Sequence, residues 1–461
     1  ASVLARSSPP LPCVIFDHAQ GAEMLTAKEL KPHLLHPDYL VRDAVAEYFK
    51  DSWSQDPDLI PMVLEAVRRY GPHEVRAGLV ACQRFRLTER SLDGVLMSLS
   101  DIEDDVAAFH LNALIGRAPA DLLNRHEAPI LDAPNLFAET AERLHRRREL
   151  YTWPAEKLWS ELEDLADRSR NRYVGEIDHG YAEDLIDTLS GYAEPGIAKI
   201  CELLTADGAS DWQEIFVVEL AGARGIHEAI PRLVDKFRID TDYLLECAVR
   251  ALARIGDPSA SRLIQSVFSA EDWNFRNYAS GVLAAIKSEA SEEALLDLLG
   301  TERDSGIRVW LCLGLCQQFS LRGLPVILEE IDRGYDESAA SLEEEMLPVA
   351  ELLGVGLPEA DAWRQRAEES RARFESRKLE LDTLASRMKP DEDEFDVFGE
   401  SPGSYRRTQP KIGRNAPCMS VSSLSRLARA APQRSHMCQT TWRRNAYLLL
   451  TEVGLYLDYP Q

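Results

Sequence analysis

Between about residues 226 and 354 one two-helix pattern recurs at a spacing of roughly 30–34 residues, and no other feature limits the fold of this chain so tightly. The first helices of successive pairs read as 227–237, 258–268, 291–299 and 322–331. The second helices read as 242–254, 272–287, 304–319 and 341–353. A unit this short cannot bury an apolar face by itself, so neighbouring units must stack and share one continuous core.

The apolar residues have the right period for that packing. Phe275, Tyr278, Ala279, Val282, Leu283 and Ile286 form one helical stripe. Ile307, Trp310, Leu311, Gly314 and Leu315 repeat it, and Val41, Ala44, Val45, Tyr48 and Phe49 show the same stripe near the N-terminus. Packing between stacked repeats is the expected use of these stripes. Helix starts are also signed: Asp257 precedes Pro258 as a capping carboxylate ahead of an N1 proline, and Thr26 and Glu29 have capping-box spacing. Alternating β-branched runs between Gly or Pro turns are nearly missing, so the expected fold class is all-α.

A finer signature lies at the starts of the second helices. Asp38 and Arg42, Asp272 and Arg276, and Asp304 and Arg308 share one spacing and one register against the stripe. Arg76 sits in that register without the Asp, and Asp242 is followed by Glu246 where Arg is expected. An Asp at a helix start accepts backbone N–H bonds, and an Arg one turn later is in reach of a carboxylate of its own or the neighbouring repeat. This pattern resembles the HEAT-repeat family, including the shorter bacterial HEAT-like units of phycocyanobilin lyase relatives, over roughly 24–124 and 180–356. The resemblance implies an α-solenoid of helix pairs, an armadillo-like superhelix, whose concave face is a general protein-binding surface. It says little about function by itself, because such a fold hosts many.

The chain therefore reads as an irregular N-terminal segment (1–23), N-terminal repeats (24–124), an irregular helical connector (125–180), C-terminal repeats (181–356), a charged helix (357–389) and an acidic linker with a diverged, largely disordered tail (390–461). Arg143, Arg146, Arg147 and Arg148 in the connector form the densest basic cluster of the body, readable as a solvated helix end or as a docking spot for an acidic partner. The run from Asp391 to Glu400 is acidic and carries Phe395, Val397 and Phe398.

In the tail, Lys411, Ile412, Gly413, Arg414, Asn415, Ala416, Pro417 and Cys418 resemble the opening of the SEC-C zinc motif, also found at the end of SecA-type translocation ATPases. That motif continues as Cys-x-Cys, a Gly-Ser-Gly turn and a closing Cys or His pair, the four ligands of a closed tetrahedral zinc site. Here Ser420 replaces the second cysteine, and only His436 and Cys438 follow as further donors. Residues 419–449 contain no Asp or Glu, which reads as a departure from the ancestral reading frame, with a genuinely diverged tail as the alternative. The expectation is no zinc and no other cofactor, with Cys418, His436 and Cys438 as weak metal candidates.

Composition removes several other classes. A net charge of −25 disfavours nucleic acid as a partner, since phosphate binding needs clustered Lys and Arg. No run approaches a membrane span, and 1–12 shows no signal-peptide h-region. Eight scattered cysteines suit a reducing cytoplasm, with Cys82, Cys201, Cys247, Cys312 and Cys316 inside apolar helical patterns.

Nucleophile elbows and phosphate-cradling Gly loops are not found. A HEAT-like metalloenzyme of the deoxyhypusine hydroxylase type needs converging His-Glu pairs. His73–Glu74, His126–Glu127 and His227–Glu228 fall out of register for that role. A bilin-lyase-like role rests on fold alone. The expectation is a non-enzymatic, cytoplasmic scaffold for an unknown protein partner.

Overall fold

The computed structural model describes residues 24–204, 212–239 and 241–388, with side chains to 377. The chain divides into two units, Ala1–Ala360 and Asp361–Gln461. Among the described residues all regular structure is helical. The helices are α1 (Ala27–Leu30), α2 (Tyr39–Asp51), α3 (Leu59–Tyr70), α4 (Arg76–Cys82), α5 (Glu89–Asp101), α6 (Asp105–Ile115), α7 (Ala120–Leu131), α8 (Ala138–Leu150), α9 (Ala155–Arg168) and α10 (His179–Ser190). They continue with α11 (Ile197–Leu203), α12 (Trp212–Ala223), α13 (Ile230–Asp235), α14 (Asp242–Ile255), α15 (Pro258–Val267), α16 (Trp273–Ala285), α17 (Glu289–Thr301), α18 (Ser305–Gln317), α19 (Gly323–Arg333), α20 (Leu342–Leu353) and α21 (Ala360–Met388).

Local chemistry explains where many of these helices begin and end. Side chains of Asp38, Asp104, Asp257, Asp272 and Asp304 accept backbone N–H bonds at the starts of α2, α6, α15, α16 and α18. Thr26 and Glu29 close a capping box. Gly256 ends α14 at φ +68°, a left-handed turn that a side chain would strain, and Asp257–Pro258 starts the next helix at once.

The helices form two layers in the first unit. Each even-numbered helix packs on the next even-numbered one, from α2 to α20. Odd-numbered helices stack outside them, as α3 does on α5 and α13, α15 and α17 do in turn. Approach within the inner layer is close: a Cβ on Gly222 of α12 would lie 2.6 Å from the Ala251 Cα of α14, so only glycine fits there. Because an inner helix is covered both by its outer partner and by its inner neighbours, its buried face is wider than one stripe. In α18, Ile307, Val309, Leu311, Cys312, Leu315 and Cys316 are buried, whereas Trp310, expected within the stripe, is only half-buried at its edge.

The inner layer also closes on itself, for α20 packs back against α2. Tyr48 of α2 meets Phe319, just past α18, edge to face at 5.9 Å. The Lys287 ammonium lies 5.0 Å over the Tyr48 ring and donates to the Ala284 and Gln317 carbonyls at 2.7 and 2.9 Å. Burial lowers the Lys287 pKa to about 8 and raises that of Tyr48 to about 12. Residues 125–180, read as an irregular connector, hold the rest of α7 together with α8 and α9. Here α8 takes its place between α6 and α10 in the inner layer, and α9 lies against α10 and α12. In the second unit α21 carries i,i+4 pairs such as Arg371–Glu375 at 3.1 Å.

Candidate functional site

The ends of six inner helices meet around a cavity of about 560 Å³. Its charged lining consists of Arg84, Arg86, Arg117, Arg147 and Arg254 with a single carboxylate, Asp187. Five guanidiniums on one cavity are unexpected in a chain of net charge −25. Three have a local reason to be there: Arg84, Arg117 and Arg254 lie in or just past the last turns of α4, α6 and α14, where the helix dipole favours a cation.

Their hydrogen-bonding capacity is nevertheless unused. Arg84, Arg117 and Arg254 donate no side-chain hydrogen bond to any described residue. Arg84 stands 3.6 Å from Asp51, and Arg254 stands 3.7 Å from Asp187, beyond hydrogen-bond reach. Arg117 and Arg86 have no carboxylate within ion-pair distance among the described residues. The Trp53 ring, at positive φ, carries both the Arg84 and the Arg254 guanidinium, at 5.1 and 4.9 Å from its centroid. Burial lowers the pKa of Arg84, opposed by Asp51 and reinforced by Arg250 and Arg117; burial and Arg117 do the same to Arg254 against Asp187. These cations are short of negative charge.

Arg224 shows the contrast. At the equivalent end of α12, its guanidinium is satisfied by the Pro195 and Ala193 carbonyls at 2.5 and 2.9 Å.

The basic cluster of the connector is consumed inside the protein. Arg143, Arg146 and Arg147 converge on Asp184 of α10, which has no exposed surface, at best distances of 2.8, 2.8 and 2.7 Å. Arg148 pairs with Glu127. Neither a solvated helix end nor a free docking spot describes the first three. The sequence concealed this because Asp184 lies about 40 residues from them, on another helix.

The Asp–Arg register resolves into two separate roles. Asp38, Asp272 and Asp304 cap their helices, while each Arg reaches further along the chain. Arg42 donates to the His36 and Pro37 carbonyls at 2.7 and 2.8 Å and to the Glu74 carbonyl of the next pair at 2.9 Å. Arg276 holds Glu302 at 2.6 Å, and Arg308 holds Glu330 at 2.5 Å, again in the next pair. Arg76 begins α4 beside His110.

The three His-Glu pairs stay apart: His73 contacts its own Glu74, His126 contacts Glu89, and His227 contacts Asp257. Among the described residues no group of three or more His, Cys, Asp or Glu is arranged to hold a metal. Cys82, Cys247, Cys312 and Cys316 are buried free thiols, with Cys82 and Cys312 pushed to about 12 by burial. Cys418, His436 and Cys438 lie outside the described residues, as does the acidic run from Asp391 to Glu400. No described helix is long and apolar enough to cross a membrane.

Comparison with known proteins bears on the stacked pairs. Residues 230–316 match the family of HEAT repeats. They cover α13 to most of α18, the stretch in which the two-layer stacking is most regular. A solved structure of an engineered protein is similar at 15% identity with a TM-score of 0.24, over 75% of this chain and 98% of that one. No match is found among curated proteins. The described fold is thus an all-α stack of HEAT-like helix pairs.

The cavity arginines were not singled out from sequence. A signal was present, since Arg117 and Arg254 both stand near a Gly in the turn that leaves an inner helix. Arg224 has the same setting and a different fate, so that signal locates the helix ends and leaves the cavity unseen.

Proposed function

We propose that this protein is a non-enzymatic interaction scaffold that engages a protein partner by seating an acidic group of that partner in the arginine cavity. The carrying observation is that Arg84, Arg117 and Arg254 converge from three helices with their side-chain donors unused. Trp53 holds two of them, Arg84 and Arg254, and donors fixed in place before binding lose little entropy on meeting an anion. Charge-assisted bonds of this kind are among the stronger polar contacts available to a protein. The match to HEAT repeats supports the same reading, because stacked helix pairs are widely used as binding scaffolds.

The test is fluorescence anisotropy with a defined probe, a peptide bearing consecutive glutamates, beside its all-glutamine counterpart. The glutamate peptide is expected to bind, to weaken with salt, and to lose at least tenfold in affinity on Arg117→Glu. Equal binding of both peptides, or an unchanged affinity in the variant, overturns the reading.

A further inference from the structure

We infer that the group the cavity is built to receive is a phosphate monoester dianion carried on a peptide, a phosphorylated side chain rather than a carboxylate. This inference rests on the reading of the cavity as an anion site.

Charge is the first argument. Arg84, Arg86, Arg117, Arg147 and Arg254 line a space whose one carboxylate, Asp187, already lies 3.5 Å from Arg147 and 3.7 Å from Arg254. Of the five, Arg147 is already held by Asp184 at 2.7 Å, and outside the cavity Asp51 stands 3.6 Å from Arg84. A carboxylate guest would bring one negative charge to this set, whereas a phosphate monoester brings up to two and three acceptor oxygens.

Direction is the second. The three unsatisfied guanidiniums come from the ends of α4, α6 and α14, three separate helices around the cavity. A carboxylate is planar and is matched by one guanidinium fork. The terminal oxygens of a phosphate point tetrahedrally and accept from several forks at once. Positions are also set in advance, since one indole, that of Trp53, holds two of the three guanidiniums.

The test compares one peptide in three forms, with serine, glutamate or phosphoserine at its centre, by isothermal titration against the full chain. The phosphoserine form is expected to bind at least tenfold more tightly than the glutamate form. Its affinity is expected to rise roughly fourfold from pH 5.5 to 7.5 as the second phosphate proton, with pKa about 6, leaves. No histidine lines the cavity; its other ionisable groups are the five arginines, Asp187, Tyr151 and Tyr192.

Arg117→Gln is expected to erase the preference for phosphoserine without lowering the melting temperature, because Arg117 makes no side-chain hydrogen bond or ion pair to a described residue. Equal affinity of the glutamate and phosphoserine forms overturns this inference and leaves the acidic-group reading standing. No binding of either form overturns both. Free nucleoside monophosphate binding more tightly than the phosphopeptide overturns the assignment to a peptide. Phosphoserine binding that survives Arg117→Gln unchanged places the site elsewhere and overturns the inference as well.

Discussion

Tyr48 in the first inner helix and Phe319 after the ninth meet edge to face at 5.9 Å, although 271 positions separate them in the chain. An open stack of repeats has two ends that fray independently. Here α2 and α20 cover one another, so loss of this contact is shared. Phe319→Ala, at a side chain 1% exposed, is expected to cost about 3–5 kcal/mol in denaturant unfolding. Hydrogen exchange should quicken in α2 and α20 together. Faster exchange in α20 alone would mean that the closure adds nothing to stability.

Asp184 is the anchor for three arginines. Asp184→Asn keeps the shape and removes the charge, leaving Arg147, with a side chain 3% exposed, without its closest counter-ion. Breaking a buried network of this kind is expected to cost about 3–5 kcal/mol. Arg143→Gln, at a more exposed member, should cost less than half of that. Thermal unfolding of the two variants compares them, and equal losses would contradict a network centred on Asp184.

The Arg308–Glu330 pair joins one repeat to the next. Glu330 is 3% exposed and also accepts from Arg333 at 2.6 Å, so Arg308→Ala leaves it one partner. The expected loss is about 2–3 kcal/mol, between that of an exposed pair and that of a fully broken buried one. A loss below about 0.5 kcal/mol, read from denaturant midpoints, would show that the pair does not couple the repeats.

His110 gives the fold a pH dependence. It is 4% exposed; the Gln83 side-chain N–H donates to its Nδ1 at 2.7 Å, and Nε2 is buried without a partner. Burial, aided by Arg76 and opposed by Asp104, depresses its pKa from 6.5 to about 4. The unfolded chain therefore takes up this proton before the folded one does. The stabilising contribution is whole above pH 6.5 and is lost as pH falls through about 4. The loss over that window is about 3 kcal/mol. His110→Gln should flatten the stability curve between pH 6.5 and 4, as followed by urea unfolding at each pH. An unchanged slope would assign the acid sensitivity to carboxylates.

For the tail, with Ser420 in the place of a ligand, metal analysis of the purified full chain is expected to return no stoichiometric zinc. One tightly held zinc, lost on Cys418→Ser, would reverse that expectation.

The sequence by itself determined the helices, their pairing and much of their capping. These depend on a 3.6-residue period and on bonds between residues two to four apart, such as Asp272 to the Phe275 amide at 2.9 Å. Which carboxylate each repeat arginine would hold was only half legible, because register places Arg308 near the next repeat without distinguishing Glu330 from its neighbours.

The tertiary structure alone decided the rest. Closure of α20 on α2 sums a small rotation at every repeat, and no single residue encodes that sum. Once the inner layer closes, helix ends far apart in sequence face one cavity. Arg84, Arg117 and Arg254 then become a cationic site, while Arg143, Arg146 and Arg147, more conspicuous in the sequence, are engaged by the buried Asp184 with Glu183, Asp178 and Asp187 beside it.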